Sequence, residues 1–369
     1  MLLVDGGDLF GGRNRNDQKQ TEFLCEVTGD LGYDAIGLGE YDLNYGRAFL
    51  QEMVDKYKLP FTSANVRDTT GALLLPEYLV VERGGVKIGL ISVLDPSLRI
   101  ISMTGEEGAF KVDDPVATLR ELIPRVRKEA QTIVLVGHLG EATTEQVIKD
   151  VKGIDIAVIG HTYRNIDTER LVNDTVLLSS AYEGRYIGRA DLYLQDTDGK
   201  VMAVEVKNTS LGDDVPDDEQ MKERVDAFKQ SLEEFKQSKR AAYPRTYGSK
   251  DEDYLGDRSC MTCHKAAWDV YSKSAHARAF STLRRQGESD EPECLSCHTT
   301  GYQYQNGFDD KPPYNRLTDV QCEACHGYGT EHSRDKGWAQ QAKDSCVTCH
   351  DRKNSPDFDY ASYWAKIKH

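Results

Sequence analysis

Cys260-Met-Thr-Cys263-His264 is the first of four copies of one signature, and these copies decide the architecture of the last third of the chain. The others are Cys294-Leu-Ser-Cys297-His298, Cys322-Glu-Ala-Cys325-His326 and Cys346-Val-Thr-Cys349-His350. The Cys-x-x-Cys-His spacing is typical of c-type haem attachment, in which both thiols bond to the porphyrin and the histidine ligates the iron. Zinc binding and disulfide formation are weaker alternatives, because neither requires a histidine after every second cysteine. The pattern predicts four covalently bound haem c groups, with the four motif histidines as proximal ligands.

The remaining histidines predict the ligands on the distal faces of the haems. The chain has nine histidines, and three of those outside the motifs lie in the same segment: His276, His332 and His369. Only Met261 follows Met221, and it lies inside the first motif. We therefore expect histidine as the distal ligand, which gives lower reduction potentials than His/Met ligation. Three candidates for four irons leave one haem five-coordinate and able to bind a small molecule, or capped by lysine, water or another chain.

Length and composition indicate two domains with different chemistry. The chain has 369 residues, and before the motifs it contains one cysteine, Cys25, which we expect to be a buried, inert thiol. The formal net charge of -15 argues against nucleic acid and anionic membrane surfaces as partners. No apolar run is long enough for a transmembrane helix.

The start of the chain conflicts with the predicted haem chemistry. The chain opens on the strand-like stretch Leu2-Leu3-Val4, and no secretory signal is visible. Covalent c-type haem attachment takes place outside the cytoplasm, so we expect a periplasmic or extracellular protein. The simplest explanation is that this sequence is a processed fragment or has a misplaced start.

Residues 1–212 alternate short apolar runs with helical patterns, which predicts an α/β domain. Two buried strands are predicted at 132–137 and 156–160, and each is followed directly by a histidine, His138 or His161. Asp8 follows the first predicted strand in the same way. Carboxyl ends of strands are where α/β proteins place their functional sites. Residues 79–95 are predicted to form a hairpin that turns at a Gly-Gly pair.

These motifs resemble those of the calcineurin-like metallophosphatases, in particular the 5′-nucleotidase branch. The resemblance rests on the stretches VDGGDLF at 4–10, GLGEYDLNYG at 37–46, GHL at 137–139 and GHTY at 160–163. It implies that Asp8 bridges two divalent metals and that His138 and His161 hold the second of them.

The chain departs from the family pattern at the positions that would hold the first metal. Glu40 replaces an asparagine ligand, Tyr41 replaces the histidine that assists the leaving group, and Tyr163 replaces a further ligand. The family's upstream Asp-x-His motif is absent, and the haem segment takes the place of its substrate domain. Two-metal phosphoester hydrolysis needs both ions. We therefore expect a scaffold with a vestigial site, in which Asp8, Glu40, His138 and His161 could hold one ion such as Mn²⁺, Fe²⁺ or Zn²⁺.

A helix and a linker are predicted between the domains, over residues 213–253. Apolar residues spaced by four and three positions predict a helix over 217–240 with one apolar stripe, from Met221 to Phe235. This stripe packs on one domain or forms a homodimer. Residues 241–253 are polar and contain Pro and Gly, which is typical of a linker.

Residues 254–369 resemble the cytochrome c-554-type tetrahaem family through all four motifs and the stretches 274–283, 320–329 and 357–369. The resemblance implies a mostly α-helical, loop-rich domain. It also implies that His276 caps the iron held by His326 and that His332 caps the iron held by His264. His369 is then left for His350, and the haem on His298 stays five-coordinate.

We interpret the sequence as a multihaem c-type cytochrome that transfers electrons to redox partner proteins, with a degenerate metallophosphatase-like domain as scaffold or docking module. One alternative is a metal-dependent hydrolase of a phosphate or sulfur ester with a haem electron outlet. The other is reduction of a small molecule at the five-coordinate haem.

Overall fold

The computed structural model describes residues 1–11, 17–100, 104, 108–166, 168, 170–180, 184–195, 201–243, 253–286, 288–334, 342–351, 355 and 357–369. The chain forms two compact units, Met1–Arg224 and Val225–His369. The division falls within the helix that the sequence predicts between the domains. The predicted linker lies mostly outside the described residues.

The strands are β1 (Val4–Asp5), β2 (Ala35–Gly37), β3 (Phe61–Thr62), β4 (Val66–Asp68), β5 (Leu79–Arg83), β6 (Val86–Leu94), β7 (Phe110–Val112), β8 (Thr132–His138), β9 (Ile156–Ile159), β10 (Asn165–Ile166), β11 (Leu171–Val172), β12 (Thr175–Ser180), β13 (Tyr186–Leu194) and β14 (Val201–Ser210). The α-helices are α1 (Asp17–Leu31), α2 (Gly46–Tyr57), α3 (Pro115–Val126), α4 (Gly140–Asp150), α5 (Glu219–Ala241), α6 (Asp257–Met261), α7 (Lys265–Tyr271), α8 (Ala279–Gln286), α9 (Pro292–His298), α10 (Cys322–His326), α11 (Gly329–Arg334) and α12 (Tyr360–Ile367). Three 3₁₀ helices span Tyr41–Leu43, His276–Arg278 and Ala342–Thr348.

The main sheet of the first unit has the strand order β10-β12-β9-β8-β6-β5, with β11 also pairing with β12. Its central strands β12, β9, β8 and β6 are parallel neighbours. β5 and β6 form the predicted hairpin, in which Gly84 and Gly85 have φ values of 60° and 80°. These positive values explain the Gly-Gly pair, because a tight two-residue hairpin turn needs left-handed backbone at both positions.

A second, small sheet consists of the parallel strands β1, β2 and β3. The sequence predicts the first strand at 2–4, and the structure places it at Val4–Asp5. Further pairs join β4 to β7 and β13 to β14.

Alternate residues of the main sheet face two different layers, as the two-residue period of a strand requires. Ile133 and Leu135 pack with residues of α3 and α4 in one buried cluster. Val134 and Val136 belong to a cluster on the other face, with residues of β2, β13 and β14. The first unit is therefore an α/β sandwich.

The start of α3 is stabilised by its N-terminal residues. The side chain of Asp114 caps the helix by accepting a hydrogen bond from the Ala117 amide at 2.7 Å, and Pro115 occupies the first turn.

The long helix α5 confirms the predicted helix within a few residues at each end. Leu232, in the middle of the predicted stripe, is buried. Arg224 forms ion pairs with Glu26 and Asp30 of α1. In the second unit, Lys239 and Arg240 pair with Glu291 and Asp310.

Beyond α5, the described residues of the second unit form short helices joined by loops. Its side-chain core is small and largely aromatic, with Tyr254, Phe280, Tyr302 and Phe308 among the buried members. No helix in the described part of the chain is long and apolar enough to cross a membrane.

Candidate cofactor and metal sites

Four side chains meet at the carboxyl ends of strands in the first unit. Asp8 follows β1, Glu40 follows β2, His138 ends β8 and His161 follows β9. One potential ligand atom from each lies within 4.8 Å of the other three. The structure therefore brings together all four residues that the sequence proposes for a divalent ion, and within the described ranges this is the one such cluster.

The tautomer of His138 is set by a backbone carbonyl. Its Nδ1 lies 2.7 Å from the carbonyl oxygen of Gly6, which can only accept, so Nδ1 carries the hydrogen. The lone pair of Nε2 then faces Glu40 Oε2 at 2.9 Å and Asp8 Oδ2 at 3.3 Å. Glu40 Oε2 and His138 Nε2 are both buried without a hydrogen-bond partner. Acceptors facing each other at this distance need a cation between them, either a proton or a metal ion.

The charges in the cluster favour a bound cation. Burial lowers the pKa of His138, but the adjacent carboxylates of Asp8 and Glu40 favour the protonated imidazole more strongly and raise the pKa to about 10. Burial raises the pKa of Glu40, yet His138 and His161 lower it overall. Two imidazoles and two carboxylates suit a divalent ion such as Mn²⁺, Fe²⁺ or Zn²⁺. The residues present therefore fit one metal ion.

The loops that carry Asp8 and Glu40 are held by Asp42, a residue whose role the sequence analysis missed. Its fully buried carboxylate accepts from the amides of Asp8 at 3.0 Å, Phe10 at 2.7 Å and Gly39 at 2.8 Å. Burial, followed by the charge of Asp8, raises the pKa of Asp42 to about 8. The available signal was the carboxylate's position two residues after Glu40 in the loop that follows a buried strand.

Close packing restricts the backbone at the same site. A Cβ atom on Gly39 would lie 2.1 Å from Asp8 Oδ1, so only glycine fits there. Asp8 and His161 have φ values of 62° and 54°. Positive φ in residues other than glycine stores strain and is concentrated at functional sites.

Tyr41 and Tyr163 occupy the positions where the resemblance implies a leaving-group histidine and a further ligand. Tyr163 is 83% exposed. Tyr41 contributes its backbone amide, which donates to Asp8 Oδ1 at 2.9 Å.

In the second unit, the four Cys-x-x-Cys-His motifs lie at or beside short helical turns. The second lies in α9 and the third in α10, whereas the first begins in α6 and the fourth in a 3₁₀ helix. The His264 and His350 amides donate to the carbonyls of Cys260 and Cys346, each at 2.9 Å. Helical turns place residues three and four positions apart on one face, which brings both thiols and the histidine together.

Three motif histidines face a second histidine. The ring centres are 5.8 Å apart for His264 and His332, 6.0 Å for His350 and His276, and 5.8 Å for His326 and His369. A metal bonded to one nitrogen of each ring at about 2 Å would separate the ring centres by roughly 6 Å. The pairs therefore fit bis-histidine ligation of haem iron.

The pairing agrees with the expectation at one site and differs at two. His332 faces His264, as the resemblance implies. His276, however, faces His350 instead of His326, and His369 faces His326 instead of His350.

Tertiary contacts hold His276 and His350 in these positions. The His276 carbonyl accepts from the Val320 amide at 3.2 Å, which holds its turn beside the third motif, while its ring contacts the histidine of the fourth. His350 is further enclosed by Phe358, stacked at 4.9 Å, and by Ser355, whose Oγ lies 2.8 Å from Nδ1. Spacing along the chain contains none of this information.

His298 has no imidazole partner. Its Nδ1 lies 2.9 Å from the carbonyl of Ala279, which leaves Nε2 as the ligand atom. All nine histidines are in the described part of the chain, six form the three pairs, and His138 and His161 face each other at 5.1 Å in the first unit. The second motif therefore offers one histidine to a haem iron, whereas each of the other three offers a pair.

The motifs are adjacent in a defined order. Helix α6 of the first motif contacts α10 of the third, and the thiols of Cys297 and Cys349 are close enough for each to shift the pKa of the other. Ser345 donates to the carbonyl of Cys325 at 2.9 Å. The first site therefore adjoins the third, the third adjoins the fourth, and the fourth adjoins the second.

Comparison with known proteins finds similar proteins for both the N-terminal and the C-terminal region of the chain. The sequence profile of the family described as Cytochrome c554 and c-prime matches residues 259–327. The N-terminal region matches 5′-nucleotidase and calcineurin-like phosphoesterase proteins. The trifunctional nucleotide phosphoesterase YfkN of Bacillus subtilis is 28% identical over 253 residues, which cover 56% of this chain and 17% of the relative.

Two further matches agree. A 2′,3′-cyclic-nucleotide 2′-phosphodiesterase/3′-nucleotidase of Salmonella typhimurium is 25% identical over 246 residues, or 56% of this chain and 38% of the relative. The solved structure of the sulfate thiohydrolase SoxB of Thermus thermophilus superimposes with a TM-score of 0.57 at 21% identity, covering 64% of this chain and 43% of that one. The chain thus spans less than half the length of these curated relatives. The metallophosphatase-like fold predicted for the N-terminal region is confirmed, and the chain also contains a cytochrome c-like region.

Proposed function

We propose that this protein is a multihaem c-type cytochrome that transfers electrons through four covalently bound haems held by residues 254–369. The observation that carries this proposal is the set of three facing histidine pairs, each with one member from a Cys-x-x-Cys-His motif. The haems, when bound, supply one-electron redox chemistry. The chain's residues hold two imidazoles at fixed separation for three irons, which keeps the ligand geometry similar in both oxidation states. The adjacency of the four sites then suits electron transfer from one to the next.

Denaturing mass spectrometry of protein matured in a c-haem-competent host tests the cofactor content. The expected mass is that of the polypeptide plus four haems. Homogeneous protein with three or fewer attached haems would contradict the proposal. An anaerobic optical and EPR redox titration of the same sample should give four one-electron steps.

We further propose that the haem on His298 has an open distal position. Six of the other histidines are paired in the second unit, and none remains for this iron. The ferric protein should therefore show one high-spin and three low-spin centres, and the reduced protein should bind about one equivalent of CO. Four low-spin centres with no spectral change on adding CO would exclude a small-molecule site and leave electron transfer alone.

For the N-terminal unit we propose a single divalent ion held by Asp8, Glu40, His138 and His161. The facing, unpartnered Glu40 Oε2 and His138 Nε2 favour this role. Metal analysis after incubation with Mn²⁺, Fe²⁺ or Zn²⁺ and desalting should find about one equivalent besides haem iron. Glu40→Ala should reduce it strongly, whereas Glu52→Ala, an exposed change on α2, should not. Equal metal content in both variants would contradict this assignment.

The proposed haem chemistry also indicates where the protein acts and which partners it has. We propose redox proteins as partners and a periplasmic or extracellular location. A homodimer through the apolar stripe of α5 stays a proposal that sedimentation analysis would test.

A further inference from the structure

Glu323 is an unusual residue for its position. It lies between the two cysteines of the third motif and is the only acidic residue between the cysteines of any of the four. Met261 and Val347, at the same position of the first and fourth motifs, are 39% and 62% exposed, but Glu323 is 4% exposed. Burying a carboxylate costs free energy unless hydrogen bonds compensate for the lost water.

Backbone amides provide that compensation. Glu323 Oε1 accepts from Leu255 N at 3.0 Å and Gly329 N at 2.7 Å, and Oε2 accepts from Gly256 N at 2.7 Å. These donors carry no net charge. In the part of the chain that the structure describes, Glu323 forms no ion pair. Backbone amides therefore take the place of water around this carboxylate, and no ion pair to it is found within the described residues.

The contacts place this charge between two haem attachment sites. Leu255 and Gly256 directly precede α6, which carries Cys260 of the first motif. Gln321, on the other side of Cys322, accepts from the Asp257 amide at 2.9 Å, so residues of the third motif cap the start of α6. Helix α6 also contacts α10, which carries Cys322, so the two attachment points lie close together.

We propose that Glu323 lowers the reduction potentials of the first and third haems relative to the second and fourth. A ferric iron carries one more positive charge than a ferrous iron, so a nearby negative charge favours the oxidised state. The interaction is stronger in the interior than in water because the effective dielectric constant is lower. Net charge and burial around a haem are established determinants of its potential. This inference rests on the haem attachment proposed above.

The test compares reduction potentials of haem-loaded variants by optical and EPR titration. Glu323→Gln should retain four haems and raise the potentials of two of them, with smaller changes in the others. Glu293→Gln is the matched control, because Glu293 also adjoins a haem-attaching cysteine but is exposed. Its potentials should equal those of the wild type. Four unchanged potentials in four-haem Glu323→Gln protein would overturn the proposal.

The variant Gly329→Ala tests whether Glu323 acts on the potentials through its charge or through the packing of its side chain. The added Cβ would lie 2.9 Å from Glu323 Oε1, so the carboxylate would have to shift from its hydrogen-bonded position while keeping its charge. We expect potentials near the wild-type values. A rise as large as that in Glu323→Gln would mean that Glu323 is only a structural contact, and would overturn the proposal.

If Glu323→Gln does not retain its haems, the order of the reduction potentials in the wild-type protein tests the proposal instead. His276→Ala opens the fourth iron and so identifies its low-spin EPR signal by loss of that signal. In the wild type this signal should titrate at the highest potential of the three bis-histidine haems. A lower rank would overturn the proposal. Absence of covalent haem from the mass spectrum would instead contradict the proposed function itself.

Discussion

Glu40 illustrates how one side chain changes what a site can hold. The resemblance to metallophosphatases places an asparagine here, which would offer a neutral amide oxygen, whereas Glu40 brings a second carboxylate to within 2.9 Å of His138. The buried carboxylate and imidazole compensate each other's charge when a proton is present, and a divalent ion can replace that proton. The same four donors thus explain both the raised pKa of His138 and the expected affinity for one metal ion.

Asp42 should be important for the stability of the first unit. Asp42→Ala leaves three backbone amides without their acceptor, so we expect the free energy of unfolding to fall by about 2 kcal/mol or more. Urea denaturation followed by circular dichroism measures this. Asp55→Ala, an exposed change on α2, is the control and should alter it by less than about 0.5 kcal/mol. Similar stability of the two variants would show that the three bonds are replaceable.

Cys25 should be the only free thiol of the haem-loaded protein, and an unreactive one. It is fully buried, and burial, with the charges of Asp42 and Glu22, raises its pKa to about 12. A thiol without thiolate character reacts slowly with alkylating agents. Iodoacetamide should therefore modify no cysteine in the native protein and one after unfolding. More than one modified cysteine in unfolded protein would reveal incomplete haem attachment.

Among the helices and strands, parallel strands position the four candidate metal ligands, and short helical turns carry the four motif histidines. The carboxyl ends of β1, β2, β8 and β9 lie close together because the strands are parallel within their sheets. The pairing of distal histidines depends instead on where α12 and the turn at His276 pack. At two of the three pairs the ring contacts differ from the pairing that the resemblance implies.

A protein lacking the fourth haem would test the pairing. Cys346→Ala with Cys349→Ala removes that haem and frees His276, so adding His276→Ala should open no further iron. CO binding to the reduced protein should be the same with and without the third change. The control is His369→Ala in the same background, which should open the iron held by His326 and add about one equivalent of CO. An added equivalent with His276→Ala would restore the pairing implied by the resemblance.

At the scale of the whole molecule, the chain joins a metallophosphatase-like sandwich to a cytochrome-like unit. Two-metal hydrolysis requires a second set of ligands. Among the residues that the structure describes, one ligand cluster is found, and Tyr163 is largely exposed. The described residues of the first unit are therefore suited to hold a single ion, and the redox role that we propose rests on the second unit.

We accordingly expect negligible phosphoesterase activity. Nucleotides and p-nitrophenyl phosphate, assayed with excess Mn²⁺, should be hydrolysed no faster by the wild type than by Asp8→Ala. Turnover that disappears in Asp8→Ala would show that one ion is sufficient here, and the hydrolase alternative would then be favoured.

Features whose chemistry is local could be predicted from the sequence. A Cys-x-x-Cys-His motif contains all its attachment atoms within five residues, so haem attachment sites can be predicted without knowing the fold. Histidines at strand ends are predictable for a similar reason, because the apolar run that makes the strand also defines its end.

Which distant residues meet depends on the tertiary structure. The His369 ring faces the histidine of the third motif and the His276 ring faces that of the fourth, although neither pair is close in sequence. Asp42 and Glu323 acquired their roles in the same way, since each carboxylate binds amides from segments far from it in sequence. Such contacts depend on the packing of whole elements, and no spacing along the chain encodes that packing.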